Sequence, residues 1–233
     1  GATAINTKGD LECILNKQMG LQDETVYSQF TDASGNLWLA TSNGISRSNI
    51  HSPITFFSDK NGLSGTVQDI IRHNNTLYAA TNYGVYLLHS GFIANGLTFS
   101  SSSFEKLPSI KEECWDMLSF KSGKYSVLLV VSGENIFTID DQMNIKEIIK
   151  CKPWKIYRSI SDSLRVYIGL ESGIASIYWD GSQWLEEAGI PEIKESIYSI
   201  AEDEKGDLWL GHTNGVIKIN FKDDHKSFRK ILN

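Results

Sequence analysis

The residues whose types could carry chemistry are five histidines, three cysteines and a few carboxylate pairs. His51, His73, His89, His212 and His225 form no His-Glu-x-x-His, and the chain has no Gly-x-Ser-x-Gly and no Cys-x-x-Cys. The spacings that carry metalloprotease, serine-hydrolase or dithiol chemistry are therefore missing. Cys13, Cys114 and Cys151 are odd in number, so they cannot all pair within the chain. They read as small buried hydrophobes, with one disulfide as the alternative. Glu112-Glu113 and Glu186-Glu187 are adjacent in sequence. Neighbours on a strand point to opposite faces, so they make poor acid/base partners. Asp32 and Asp203 precede tight turns, where Asp binds its own backbone more readily than a cation. The expectation is no catalytic residue, no metal and no cofactor.

Composition narrows the class further. Of 233 residues, 41% are hydrophobic and 21% charged, the balance of a globular chain. The net charge is −6, and a phosphate backbone needs clustered Lys and Arg, so the charge disfavours a nucleic-acid or anionic-membrane surface and no nucleic-acid partner is expected. The longest apolar run, Val127–Val131, is too short to cross a bilayer, so no membrane insertion is expected of this segment.

The elements that must position any site come from a repeat. GNLWLATSNG at 35–44 and GDLWLGHTNG at 206–215 align without a gap. Weaker copies end at Gly84, Asn135 and Gly173. Asn135 replaces glycine in the third copy, since Asn tolerates the left-handed region. A period near forty residues with short strands and Asn-Gly hairpin turns is the signature of β-propeller blades. The expected fold is all-β: four-stranded antiparallel blades at about 22–59, 64–108, 113–150, 154–188 and 194–232, in one partial propeller domain over 1–233. Residues 10–16 read as the outer strand of a preceding blade, so the array reads as part of a larger propeller of about seven blades. Expected outer strands are Ile54–Ser58, Phe104–Leu107, Ile145–Lys150, Trp184–Glu187 and Lys226–Leu232. Gly91–Ser103 reads as an inserted loop, and Lys111–Met117 is the one helix candidate. Trp38 and Trp209 recur at one position and are expected between blades.

The innermost strands begin at Glu24, Thr66, Trp115, Trp154 and Glu195, a thin set for a metal and a fair one for a sugar. If strands run outward from the axis, one end of the blades collects Glu24, Asn43, Asn82, Tyr83, Trp115, Trp154, Glu171, His212 and Asn214. These are the candidate ligand-binding residues. Trp115 and Trp154 lead them because neither occupies the repeated Trp position.

The GNLWLAT-x-x-GI run, preceded by Asp32 and followed by Arg47, resembles the two-component regulator propeller repeat. That resemblance implies the sensor part of a bacterial membrane histidine kinase or related regulator, in the periplasm or outside the cell. It implies further blades and downstream signalling domains as partners, and a carbohydrate or other small ligand. Self-association is expected from uncovered blade faces. The alternatives are a scaffold or dimerisation propeller, and a lyase- or lactonase-like enzyme.

Overall fold

The structure is a computed structural model that describes residues 1–17, 20–49, 54–89, 93–94, 98–99, 102–221 and 228–231. His51 and His225, the ends of the expected strand Lys226–Leu232, and the side chain of Cys13 lie outside what is described. The chain divides into two compact units, 1–63 with 89–105, and 64–88 with 106–233.

In the first unit, β1 (Ala2–Ile5) pairs antiparallel with β2 (Leu11–Leu15). The sheet that follows has three strands, β3 (Val26–Thr31), β4 (Leu37–Thr41) and β5 (Gly44–Ser48). Alternation along β4 turns Leu37 and Leu39 to one face, where they pack with Leu15, Leu21, Ala2 and Val26. The expected fourth strand does not form: residues 54–57 are irregular, and a single 3-10 turn follows at Asp59–Asn61.

The second unit is a run of four-stranded antiparallel sheets. The first contains β6 (Val67–His73), β7 (Thr76–Thr81) and β8 (Gly84–His89). Two-residue strands β9 (Ile93–Ala94) and β10 (Thr98–Phe99), which belong to the first unit, pair inside the expected loop insertion. β11 (Ser103–Lys106), of which only Lys106 is counted with the second unit, gives the sheet its order β11-β8-β7-β6. Next come β12 (Cys114–Ser122), β13 (Tyr125–Ser132), β14 (Asn135–Asp140) and β15 (Ile145–Lys150), paired in sequence order. A third sheet holds β16 (Pro153–Arg158), β17 (Arg165–Leu170), β18 (Ile174–Trp179) and β19 (Trp184–Glu187). The last holds β20 (Ser199–Glu202), β21 (Leu208–His212), β22 (Gly215–Phe221) and β23 (Phe228–Ile231).

Cys114–Ser122 is therefore strand where a helix was the candidate. The residues alternate once the strand is under way: Phe120 packs toward the third sheet, while Met117 packs toward the first. Period two, not 3.6, decides the element.

β13 shows how the sheets stack. Leu128 and Val130 join Tyr78, Ala80 and Val85 of the preceding sheet. Val127, Leu129 and Val131 join Ile156, Val166 and Ile168 of the following one. A strand buried on both faces carries an unbroken apolar run, which is why Val127–Val131 has no polar alternation. A third cluster joins Tyr167 and Ile174 to Ile197, Ile200, Leu208 and Leu210 of the last sheet.

The repeated aromatic position behaves in two ways. Tyr78 and Tyr167 are 4% and 1% exposed because the following sheet covers them. Trp209 holds the equivalent position yet is 41% exposed, which corrects the expectation that it lies between blades. Among the described residues no following sheet packs over Trp209. Instead its indole N–H donates to Asp203 at 3.0 Å, and Lys218 lies 4.8 Å over the ring. Trp38 repeats this with Asp32 at 2.9 Å and Arg47 at 5.7 Å.

The third hairpin corrects a second expectation. The left-handed residue is Gly133 (φ 50), not Asn135, which already belongs to β14. Glycine is favoured there because positive φ costs it nothing.

Candidate functional site

The site grows from an irregularity in the innermost strands. On β12 the pairing skips Trp115: Cys114 faces Ser132 and Asp116 faces Val131. On β16 it skips Trp154: Pro153 faces Leu170 and Lys155 faces Gly169. The same shift occurs at Tyr27 on β3 and Gln68 on β6. In the last sheet the Tyr198 amide donates to the Gly211 carbonyl, although Gly211 already pairs with Ser199. Each innermost strand thus carries an extra residue at its start. Such a bulge breaks the alternation and re-aims the extra side chain. Cys114 and Met117, three residues apart, consequently share one cluster, which an unbroken two-residue period forbids.

The bulge side chains of three successive sheets form an aromatic arc. Trp115 and Trp154 have ring centroids 4.7 Å apart, tilted by 58°. Trp154 and Tyr198 are 5.6 Å apart. A cavity of about 290 Å³ opens beside the first pair, lined by Glu113, Trp115, Glu134, Lys152, Trp154 and Glu171, with Gly133 and Pro153. Lys152 is ion-paired to Glu171 at 2.9 Å, and that carboxylate raises the lysine's pKa. The Trp154 indole nitrogen is buried without a partner among the described residues.

Behind the arc, carboxylates clasp one sheet to the next. Asp69 accepts the Met117 amide at 2.9 Å. Asp116 accepts the Ile156 amide and the Lys155 ammonium, both at 2.8 Å. Burial raises the pKa of Asp116, and these two donors oppose the shift. The clasps hold the innermost strands, and so the bulges, in register.

Of the candidate residues, Trp115, Trp154 and Glu171 come together in this cavity. Asn82 and Tyr83 lie in the β7–β8 turn, where Asn82 accepts the Thr66 amide at 2.7 Å. His212 ends β21 and Asn214 lies in the turn after it. None of these four lines the cavity. Glu24 and Asn43 belong to the first unit, Glu24 accepting the Lys17 amide at 2.9 Å before β3 and Asn43 in the β4–β5 turn. Sequence reasoning missed Glu113, Glu134, Lys152 and Tyr198. Tyr198 had a signal, since it immediately precedes β20 as Trp115 and Trp154 open their own strands. The charged residues reach the cavity from separate connections and had none.

Among the described residues no three His, Cys, Asp or Glu gather into a metal-holding group. Cys114 and Cys151 are free thiols, pushed up to about 11 and about 12 by burial, and so stay protonated and inert. No described helix is long and apolar enough to cross a membrane.

Stacked four-stranded antiparallel sheets, joined through aromatic and aliphatic faces, define this chain as β-propeller blades. The profile of the two-component regulator propeller family matches residues 20–43 and 192–214, the segments that carry Trp38 and Trp209, so the chain carries that repeat. No curated protein matches the chain. Among solved structures, the extracellular domain assigned to the hybrid two-component system BT3049 of B. thetaiotaomicron aligns with a TM-score of 0.54 at 17% identity, over 91% of this chain and 29% of that one. The extracellular domain assigned to the one-component system BT4673 of the same organism gives 0.43 at 14% identity, over 92% and 34%. PorZ, a surface component of the type-IX secretion system of Porphyromonas gingivalis, gives 0.49 at 14%, over 86% and 33%. The chain spans about a third of the length of these structures.

Proposed function

We propose that this chain is a non-catalytic sensing segment of an extracytoplasmic propeller, in which a ligand, glycans foremost, is read at the Trp115–Trp154 cavity. The observation that carries the reading is the bulged aromatic arc. Three successive sheets each aim an aromatic ring through a bulge, and two of those rings wall a cavity, Trp115 packing against the core as well. A sugar ring needs such an apolar platform with polar groups around it. The repeat match supports placing the chain in a membrane-anchored regulator of the two-component type, with further blades and signalling domains as partners.

The test is a titration with a panel of neutral, basic and acidic oligosaccharides, followed by tryptophan fluorescence and calorimetry. Binding by the wild type that Trp154→Ala removes, with the melting temperature little changed, supports the reading. Binding that survives Trp154→Ala and Trp115→Ala moves the site elsewhere and overturns it.

A further inference from the structure

The charge around the aromatic pair is one-sided. Glu113, Glu134 and Glu171 line the cavity against a single Lys152, which is already bonded to Glu171. Glu134 acts on the same ammonium through space, so three carboxylates share one cation and the lining is net negative. They do not converge as metal ligands do. Separated carboxylates beside indole faces are the surroundings an ammonium group favours, because the ring face and the acids both attract a positive charge. A hard divalent cation needs six or more oxygens at fixed short distances, which this cavity does not assemble. An anionic glycan meets net negative charge at the entrance.

Resting on the reading of this cavity as the ligand site, we infer that its ligand carries an ammonium group beside an apolar face, as a de-N-acetylated amino sugar does. The ring face stacks on the Trp115–Trp154 pair, and the ammonium sits toward Glu113 and Glu134. The same chemistry occurs on a free alkylamine, so the source must be separated by experiment.

Two β-1,4-linked glucosamine oligomers of equal length, one N-acetylated and one with free amines, differ in charge and in the acetyl group, and the salt dependence isolates the charge. Both are titrated calorimetrically against the intact chain below the amine pKa. The free-amine oligomer is expected to bind about tenfold more tightly in low salt, and added salt should close the gap. Glu113→Gln with Glu134→Gln should bring the free-amine oligomer down to the level of the acetylated one, while Trp154→Ala removes both. A simple alkylammonium competing as well as the oligomer supports the ammonium chemistry and assigns it to amines at large; weak competition assigns it to the sugar. Equal or tighter binding of the acetylated oligomer, or of a sulfated one, overturns the inference and leaves the ligand site standing. Binding by no saccharide and no amine overturns both.

Discussion

Tyr167 and Trp209 occupy one position of the repeat and differ in what lies beyond them. The Tyr167 ring is packed into the cluster shared with Leu208 and Leu210, whereas Trp209 keeps one face open. Tyr167→Ala should therefore cost about 3–5 kcal/mol, the range for emptying a filled aromatic site. Trp209→Ala should cost less, about 1–2 kcal/mol, because only part of its area is withdrawn from water and its Asp203 hydrogen bond is solvent-exposed. Urea midpoints of both variants check this, and equal losses would show that Trp209 is covered in solution.

His73 gives a pH dependence at the same scale. It is buried, its Nδ1 is 2.8 Å from the Ser119 hydroxyl, and Asn74 lies 3.2 Å from Nε2. Asp141 stands 3.8 Å from Nε2, and Lys121 also acts on the ring. Desolvation is the largest influence and lowers the pKa, with Lys121 in the same direction and Asp141 opposed. The folded state thus binds the proton less well than the unfolded state, so the cost is absent above the unfolded value near 6.5 and grows as pH falls below it. His73→Gln should flatten the decline in stability between about pH 7 and pH 5. A slope identical to the wild type assigns the decline to other groups.

At the scale of elements, the turns and the recurring aromatics were legible because they are local. Asn-Gly at 43–44 and 214–215 announces a hairpin whatever surrounds it. β15 and β19 likewise fall where the repeat places an outer strand. β1 was not legible, since four residues without a repeat signature give no period to count. Gly133 was hidden because the third copy slides its left-handed residue two positions earlier. The site was half legible. Trp115 and Trp154 stood out by departing from the repeat, but a bulge is a pairing property and Glu134 and Lys152 approach only once β13, β14 and β16 are stacked. The clasps belong to this level too. Asp116→Ala loses two hydrogen bonds at a buried position and should cost about 2–3 kcal/mol, lessened because Lys155 can turn to water. Asp69→Ala loses one, about 1 kcal/mol. Denaturation of the two variants tests the ordering, and the reverse order would show that the clasp at Asp116 is a net burden.

Across the whole molecule, stability in a stacked array is the sum of what each sheet contributes and what each junction buries. In the second unit the three junctions are filled, and the face of the last sheet that carries Trp209 is not. Val216, on the same face, is exposed as well. An apolar area of this kind rarely stays bare on a soluble monomer at high concentration. The expected outcome is reversible self-association, seen as a mass that rises with concentration in sedimentation equilibrium. Val216→Lys places a charge on that face without removing a buried group, so it should shift the equilibrium toward monomer and leave the melting temperature nearly unchanged. Salt separates this mode from an electrostatic one. With a net charge of −6, copies repel one another, so screening should strengthen apolar association and weaken association held by ion pairs. A chain that stays monomeric at high micromolar concentration with and without salt would show that the Trp209 face tolerates water, its indole edge and the Lys218 ammonium over the ring being cover enough.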